Sequence, residues 1–165
     1  MLGRAFPFAV LTAAISLSIL GPVHAQTPAP QAPAPPAYRP GLGDLMTMTV
    51  QPRHTKLGLA GLEKNWVYAA YELHELEESF ERVAHVWPTY RKANIAELIE
   101  ATTKEPMQAV SEAIKAADAA KFADAYGRLT ATCNACHQGT ERPFVVIQSP
   151  KASPFPDQDF RPVKP

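Results

Sequence analysis

A five-residue motif near the C-terminus carries the clearest chemistry in this sequence. Cys133 and Cys136 are separated by two residues, and His137 follows directly. Two thiols at this spacing can bond to the two vinyl groups of one porphyrin, and the adjacent imidazole can then ligate its iron. The motif therefore predicts one covalently attached haem c, held by both cysteines, with His137 as the proximal iron ligand.

Other uses of a Cys-x-x-Cys pair fit this sequence less well. A thioredoxin-like dithiol requires a preceding strand and a surrounding sheet, for which the sequence has no pattern. A structural zinc site requires four ligands, and the sequence contains only two cysteines. A disulfide between them would close a very short loop and add little stability. Haem attachment is therefore the favoured interpretation.

The N-terminal residues have the organisation of a secretory signal peptide. Arg4 supplies a positive charge, and an uncharged apolar stretch runs from Phe6 to Leu20. The small residues at the end of this region predict cleavage after about Ala25, and the stretch is too short for a membrane span. We therefore expect a periplasmic protein with no membrane association after cleavage, an uncleaved anchor being the alternative.

Composition divides the rest of the chain into three parts. Residues 26–40 are rich in proline and alanine, which favours a semi-rigid linker over a folded element. Residues 41–139 have helical periodicity and enough apolar side chains for one small domain. Residues 140–165 are expected to form an extended C-terminal tail, in which residues 144–147 favour either a short strand or an extended arm.

The helical periodicity predicts an all-α domain whose first helix covers residues 42–58. Pro52 lies inside this helix and removes one backbone donor, so we expect a kink there. Gly58 and Gly61 are expected to mark the end of the helix.

Three further long helices complete the predicted domain. The second covers residues 62–86 and has an unbroken apolar face, and its glutamates, Glu72 among them, are assigned mostly to a solvated face. A short helix over residues 94–102 leads to a third long helix that begins near Pro106. Asp118 is expected to cap the fourth helix, which carries the cysteine motif on its last turns.

Four antiparallel helices with the attachment motif on the last one resemble the class II cytochromes c, which include cytochrome c′ and its low-spin relatives. The resemblance covers roughly residues 42–137. It implies an antiparallel four-helix bundle with the haem inside and the distal haem face toward the first helix. Two features depart from the family: 28 residues follow His137, and the basic residue often found shortly after that histidine has its nearest counterpart in Arg142.

The sequence offers several candidates for the second iron ligand. In an up-down bundle the start of helix one faces the end of helix four. Met46 lies near that start, and we predict that its thioether ligates the iron and raises the reduction potential. There are three alternatives. Met46 could fill the core and leave the iron without a sixth ligand, Met48 could ligate the iron from about 200° around the helix from Met46, or His54 could ligate it. His54 could instead bind a haem propionate together with Arg53.

The expected function is electron transfer by a one-haem carrier, which is not an enzyme. The sequence shows no nucleophile–base constellation and no nucleotide-binding loop, so the visible chemistry is that of the cofactor. One alternative is a haem protein with an open distal site that binds or senses nitric oxide or carbon monoxide. Another is a peroxidase, in which His54 and Arg53 would form the distal acid–base pair.

Charge and family resemblance bear on the partners. The chain carries 16 basic and 16 acidic residues, which gives no reason to expect nucleic acid as a partner. We expect redox proteins to bind through a small transient interface. A homodimer through helices one and two, as in some members of the family, is an open alternative.

Overall fold

The computed structural model describes residues 38–163, so the expected signal peptide and most of the expected linker lie outside the described residues. The elements are α1 (Leu42–Leu45), a π-helix (Met46–Val50), α2 (Gln51–Leu62), α3 (Trp66–Val86), β1 (Thr89–Tyr90), β2 (Ala93–Asn94), α4 (Ile95–Lys115) and α5 (Ala119–Gly139). The predicted all-α class is confirmed, with one two-residue antiparallel strand pair added. None of the helices in this part of the chain is long and apolar enough to span a membrane.

The first helical segment, residues 42–62, is continuous and has a π-helix next to the expected kink at Pro52. The N–H of Gln51 bonds to the carbonyl of Met46, five residues earlier. Pro52 has no N–H to offer the carbonyl of Met48, four residues before it. The wider π-turn therefore lies directly before the residue that cannot continue the regular ladder.

The first helical segment runs past Gly58 and ends at Leu62, one residue after Gly61. The predicted helix end is therefore wrong for Gly58 and correct for Gly61, and both glycines are buried. A Cβ atom on Gly61 would lie 1.9 Å from the ring of Phe122, and one on Gly58 would lie 2.5 Å from the Tyr126 hydroxyl. Both aromatic residues belong to α5, against which α2 packs. Both glycines therefore permit a close approach of the two helices.

Helix α3 begins at Trp66 because Asn65 caps it, accepting a hydrogen bond from the N–H of Tyr68. The assignment of Glu72 to a solvated face is wrong, since this residue is 0% exposed. Its carboxylate accepts hydrogen bonds from the Tyr68 hydroxyl and, at 3.3 Å, from the Arg53 guanidinium. These partners compensate the charge for its loss of water.

The two helices predicted around residues 94–102 and from Pro106 onward are one helix, α4. Buried residues recur every three or four positions from Ile95 to Ile114, and this continuous face holds Pro106 inside the helix. Asn94 caps α4 through its side chain. The predicted cap of the following helix is confirmed, because Asp118 accepts two backbone N–H groups at the start of α5.

The four long helices α2 to α5 pack so that each contacts two of the others. Helix α3 lies against α2 and α4, and helix α5 lies against α4 and α2. The core occupies the faces they share. Its most deeply buried apolar residues are Leu57, Ala60, Ala69, Leu76, Val83, Val110 and Leu129.

The C-terminal tail, residues 140–163 of the described part, packs back on these helices. Residues 144–147 form an arm that does not pair as a strand: Phe144 lies in a turn, and residues 145–147 have no regular secondary structure. Further along, Phe160 is buried, and the Asn65 side chain donates to its carbonyl at 3.2 Å. The Gln158 side chain donates to the Tyr68 hydroxyl at 2.6 Å. The last part of the tail is thus anchored near the start of α3, about 20 residues after the end of α5.

Candidate functional site

An apolar cleft lies between the end of α5, the first helical segment, α4 and the arm of the tail. Its cavity volume is about 220 Å³. The apolar side chains that line it are Leu42, Val50, Phe80, Ile95, Ile99, Val145 and Ile147. A cleft with this lining suits a mostly apolar ligand.

Both cysteines of the motif line this cleft and are half-buried free thiols. They are three residues apart on α5, so they lie on one side of the helix, one turn apart. Burial raises the pKa of Cys133 to about 11 and raises the pKa of Cys136 as well. Both residues therefore present neutral S–H groups to the cleft at neutral pH.

His137 also lines the cleft, and its ring orientation is fixed by the tail. Its Nδ1 lies 2.9 Å from the carbonyl oxygen of Val145. Because a carbonyl oxygen only accepts hydrogen bonds, Nδ1 carries the ring proton and Nε2 carries the lone pair. This is the arrangement that metal-ligating histidines adopt, with one nitrogen bonded to the protein and the other available to the metal.

The structure distinguishes between the two methionines of the π-helix. Met46 is half-buried and lines the same cleft as the motif. Met48 does not line it and is 75% exposed. The cleft thus brings Met46, and not Met48, together with His137.

His54 lines the cleft wall, but both its ring nitrogens have partners. Nε2 lies 3.0 Å from the Thr130 hydroxyl, and Nδ1 lies 3.1 Å from the Tyr126 hydroxyl. Both ring nitrogens therefore face hydroxyl groups of α5. Arg53 is paired with Glu72 and does not line the cleft, so the structure does not bring His54 and Arg53 together there.

The burial of His54 predicts an acid-sensitive step in stability. Burial lowers its pKa from 6.5 to about 4. Below pH 6.5 the unfolded chain binds a proton at this ring that the folded protein does not, so stability falls between pH 6.5 and 4, by up to about 3 kcal/mol. Above pH 6.5 the ring is neutral in both states and contributes no such loss.

The measurement compares urea unfolding of the wild type with that of His54→Gln at pH 7 and pH 4.5. Glutamine keeps a donor and an acceptor but does not titrate, so the wild type should lose stability relative to the variant on acidification. A difference between the two proteins that stays constant with pH would contradict the assignment.

Arg142 is the one fully charged residue among the described residues that line the cleft. Its guanidinium donates to the Thr140 carbonyl at 3.1 Å and to the Tyr90 hydroxyl at 2.7 Å, and it lies over the Tyr90 ring. The hydrogen bond from Arg142 lowers the pKa of Tyr90. The cleft thus has a positive charge available to a ligand that carries carboxylates.

Two contributors to the site gave no sequence signal. One is the backbone carbonyl of Val145, because any residue offers the same group. The other is Asn134, a variable position of the motif, whose side chain makes two hydrogen bonds to Ile147. Only the reversal of the chain after α5 brings these groups together.

The donor set of the cleft fits a covalently attached haem. It has two thiols one turn apart, an imidazole with an available Nε2, a thioether, apolar walls and a cationic side chain for carboxylates. Comparisons of the chain with known protein families, with curated proteins and with solved structures found no match.

Proposed function

We propose that this protein is a periplasmic monohaem c-type cytochrome of the class II type that transfers electrons. The observation that supports this most strongly is the convergence of Cys133, Cys136, His137 and Met46 on one apolar cleft. The ring of contacts among α2, α3, α4 and α5 supports an antiparallel four-helix bundle as the framework. The signal-peptide pattern supports export.

The cysteines attach the cofactor at two points. Each thioether forms when a thiol S–H adds across a vinyl C=C bond, so no atom is lost and no oxidant is needed. Cys133 and Cys136 present neutral S–H groups from one side of α5, which suits two bonds to a single porphyrin. His137, next to Cys136, would hold the iron through Nε2 while Nδ1 stays bonded to the Val145 carbonyl.

The remaining lining residues set the properties of the site. When bound, haem supplies an iron that alternates between ferrous and ferric states. Met46 would hold the iron through its thioether, which would favour the reduced state. The apolar walls exclude water, and Arg142 pairs with a carboxylate of the cofactor.

Two residues of the first helical segment, His54 and Met46, favour electron transfer over the alternative functions. Both ring nitrogens of His54 face hydroxyl groups, those of Thr130 and Tyr126, and burial lowers its pKa to about 4. A ring this weakly basic is a poor proton acceptor for acid–base work on a bound peroxide at neutral pH. Ligation by Met46 leaves no open position for nitric oxide or carbon monoxide.

The test uses the visible spectrum of Met46→Ala, with Met48→Ala as the matched control. We expect a low-spin wild-type protein with a sulfur-to-iron charge-transfer band in the far red. Met46→Ala should lose that band and bind carbon monoxide in the ferrous state, because its thioether is gone. Met48→Ala should keep the wild-type spectrum, since that side chain is 75% exposed.

A different wild-type spectrum would decide against the proposal. A high-spin ferrous protein that readily binds carbon monoxide would instead support gas binding at an open distal site. A low-spin protein whose far-red band survives in Met46→Ala would assign the sixth ligand to another residue.

A further inference from the structure

The chain reverses immediately after the haem-attachment motif. Glu141 has a left-handed backbone, with φ of 63°, just past the end of α5. The N–H of Arg142 then bonds to the carbonyl of His137 at 2.8 Å, and the N–H of Val145 bonds to the carbonyl of Arg142 at 3.0 Å. This turn returns residues 144–147 alongside the last turn of α5.

The side chains of the returned arm differ in exposure, and Val145 is 37% exposed, less than either of its neighbours. Phe144 and Val146 are 80% and 63% exposed. Val145 and Ile147 line the cleft. The arm therefore forms part of the cleft wall. Which of its side chains face the cleft depends on where the arm lies along α5.

Asn134 holds the arm at one place along α5. Its Nδ2 donates to the Ile147 carbonyl at 2.9 Å, and its Oδ1 accepts the Ile147 N–H at 2.7 Å. This two-point bond imitates the pairing of a neighbouring strand and uses both polar atoms of the amide. Asn134 is also one helical turn before His137, so the arm bonded to it passes beside the imidazole.

We propose that Asn134 is a positioning residue that, by holding the arm of residues 144–147 against α5, fixes the tautomer and orientation of His137 through the Val145 carbonyl. Through this contact the tail tunes the proximal ligand, an inference that rests on the proposed haem function. A hydrogen bond from Nδ1–H to a carbonyl raises the basicity of Nε2, which favours the ferric state. The tail of this protein thus belongs to the haem site, although it lies beyond the motif.

The remaining anchors of the tail keep the arm in place from the other side. Lys56 lies over the ring of Phe155, 4.9 Å from its centroid. The buried Phe160 ring packs against Tyr68 with 5.8 Å between centroids. Loss of the Asn134 contact should therefore loosen the arm locally without detaching the whole tail.

The test compares Asn134→Ala with Gln138→Ala, which removes an exposed amide near His137 on the same helix end. In the protein before haem attachment, nitrogen NMR of the His137 ring should show the Nδ1-protonated tautomer for the wild type and Gln138→Ala. Asn134→Ala should show a mixture of tautomers. In the haem-loaded proteins, Asn134→Ala should have a more positive reduction potential than the other two.

A second variant approaches the same contact from the tail. Ile147→Pro removes the N–H that donates to Asn134 and leaves its carbonyl, so it should change the tautomer ratio and the potential in the same direction. If both variants keep the wild-type tautomer and potential while binding haem, the inference is wrong and the haem function stands. If the wild type never acquires covalent haem, the proposed function is wrong, and the NMR comparison still judges the positioning role.

Discussion

Replacing Cys133 and Cys136 together with alanine should abolish covalent haem attachment. Both thiols line the cleft, and the remainder of the lining supplies only noncovalent contacts to a porphyrin. Alanine is favourable in a helix, so α5 should form in the variant. After co-expression with a haem-attachment system, the wild type should keep haem in a denaturing gel and show the added mass. The double variant should show neither.

Matched variants separate attachment from general damage to the cleft. Thr132→Ala alters a neighbouring lining residue of α5 and leaves both thiols, so it should retain covalent haem. Each single cysteine variant should retain attachment through one thioether only. Covalent haem in the double variant would refute the central assignment, because no further cysteine exists in the chain to form a thioether.

The spacing of apolar residues was sufficient to predict the helical class, because a buried helix face repeats every three or four residues whatever its neighbours are. Caps that depend on a local side chain, such as Asp118, could also be read directly. The boundaries of the helices are predicted less well. Local propensity predicts a helix start at Pro106 and a helix end at Gly58, yet tertiary packing holds both inside helices.

Long-range pairing explains the other errors. Glu72 resembles its solvent-exposed neighbours on α3 in sequence, and only the fold brings Arg53 and Tyr68 to it. The candidate site likewise contains residues that the sequence predicts and a group that it does not. The sequence motif contains Cys133, Cys136 and His137. The Val145 carbonyl reaches His137 only because the chain reverses after α5, and no residue type in the sequence predicts that reversal.

The close approach of α2 and α5 predicts opposite effects for the same substitution at two glycines. In Gly61→Ala the new methyl group would lie 1.9 Å from the Phe122 ring, which is itself buried and stacked on Tyr126. Neither neighbour can move away freely, so the helices must separate. We expect the free energy of unfolding to fall by about 1–3 kcal/mol, as for other overpacked cores.

Gly127→Ala provides the matched control for this change. Gly127 is also inside a helix, but a Cβ atom there would meet nothing within 4 Å, and the residue is exposed. Alanine should therefore stabilise the protein by about 0.5–1 kcal/mol through its lower conformational entropy in the unfolded chain. Urea unfolding followed by circular dichroism measures both values, provided the denaturant slopes agree. If Gly61→Ala is stabilised as much as Gly127→Ala, then α2 and α5 do not approach as closely as we describe. In that case Gly61 serves no packing role.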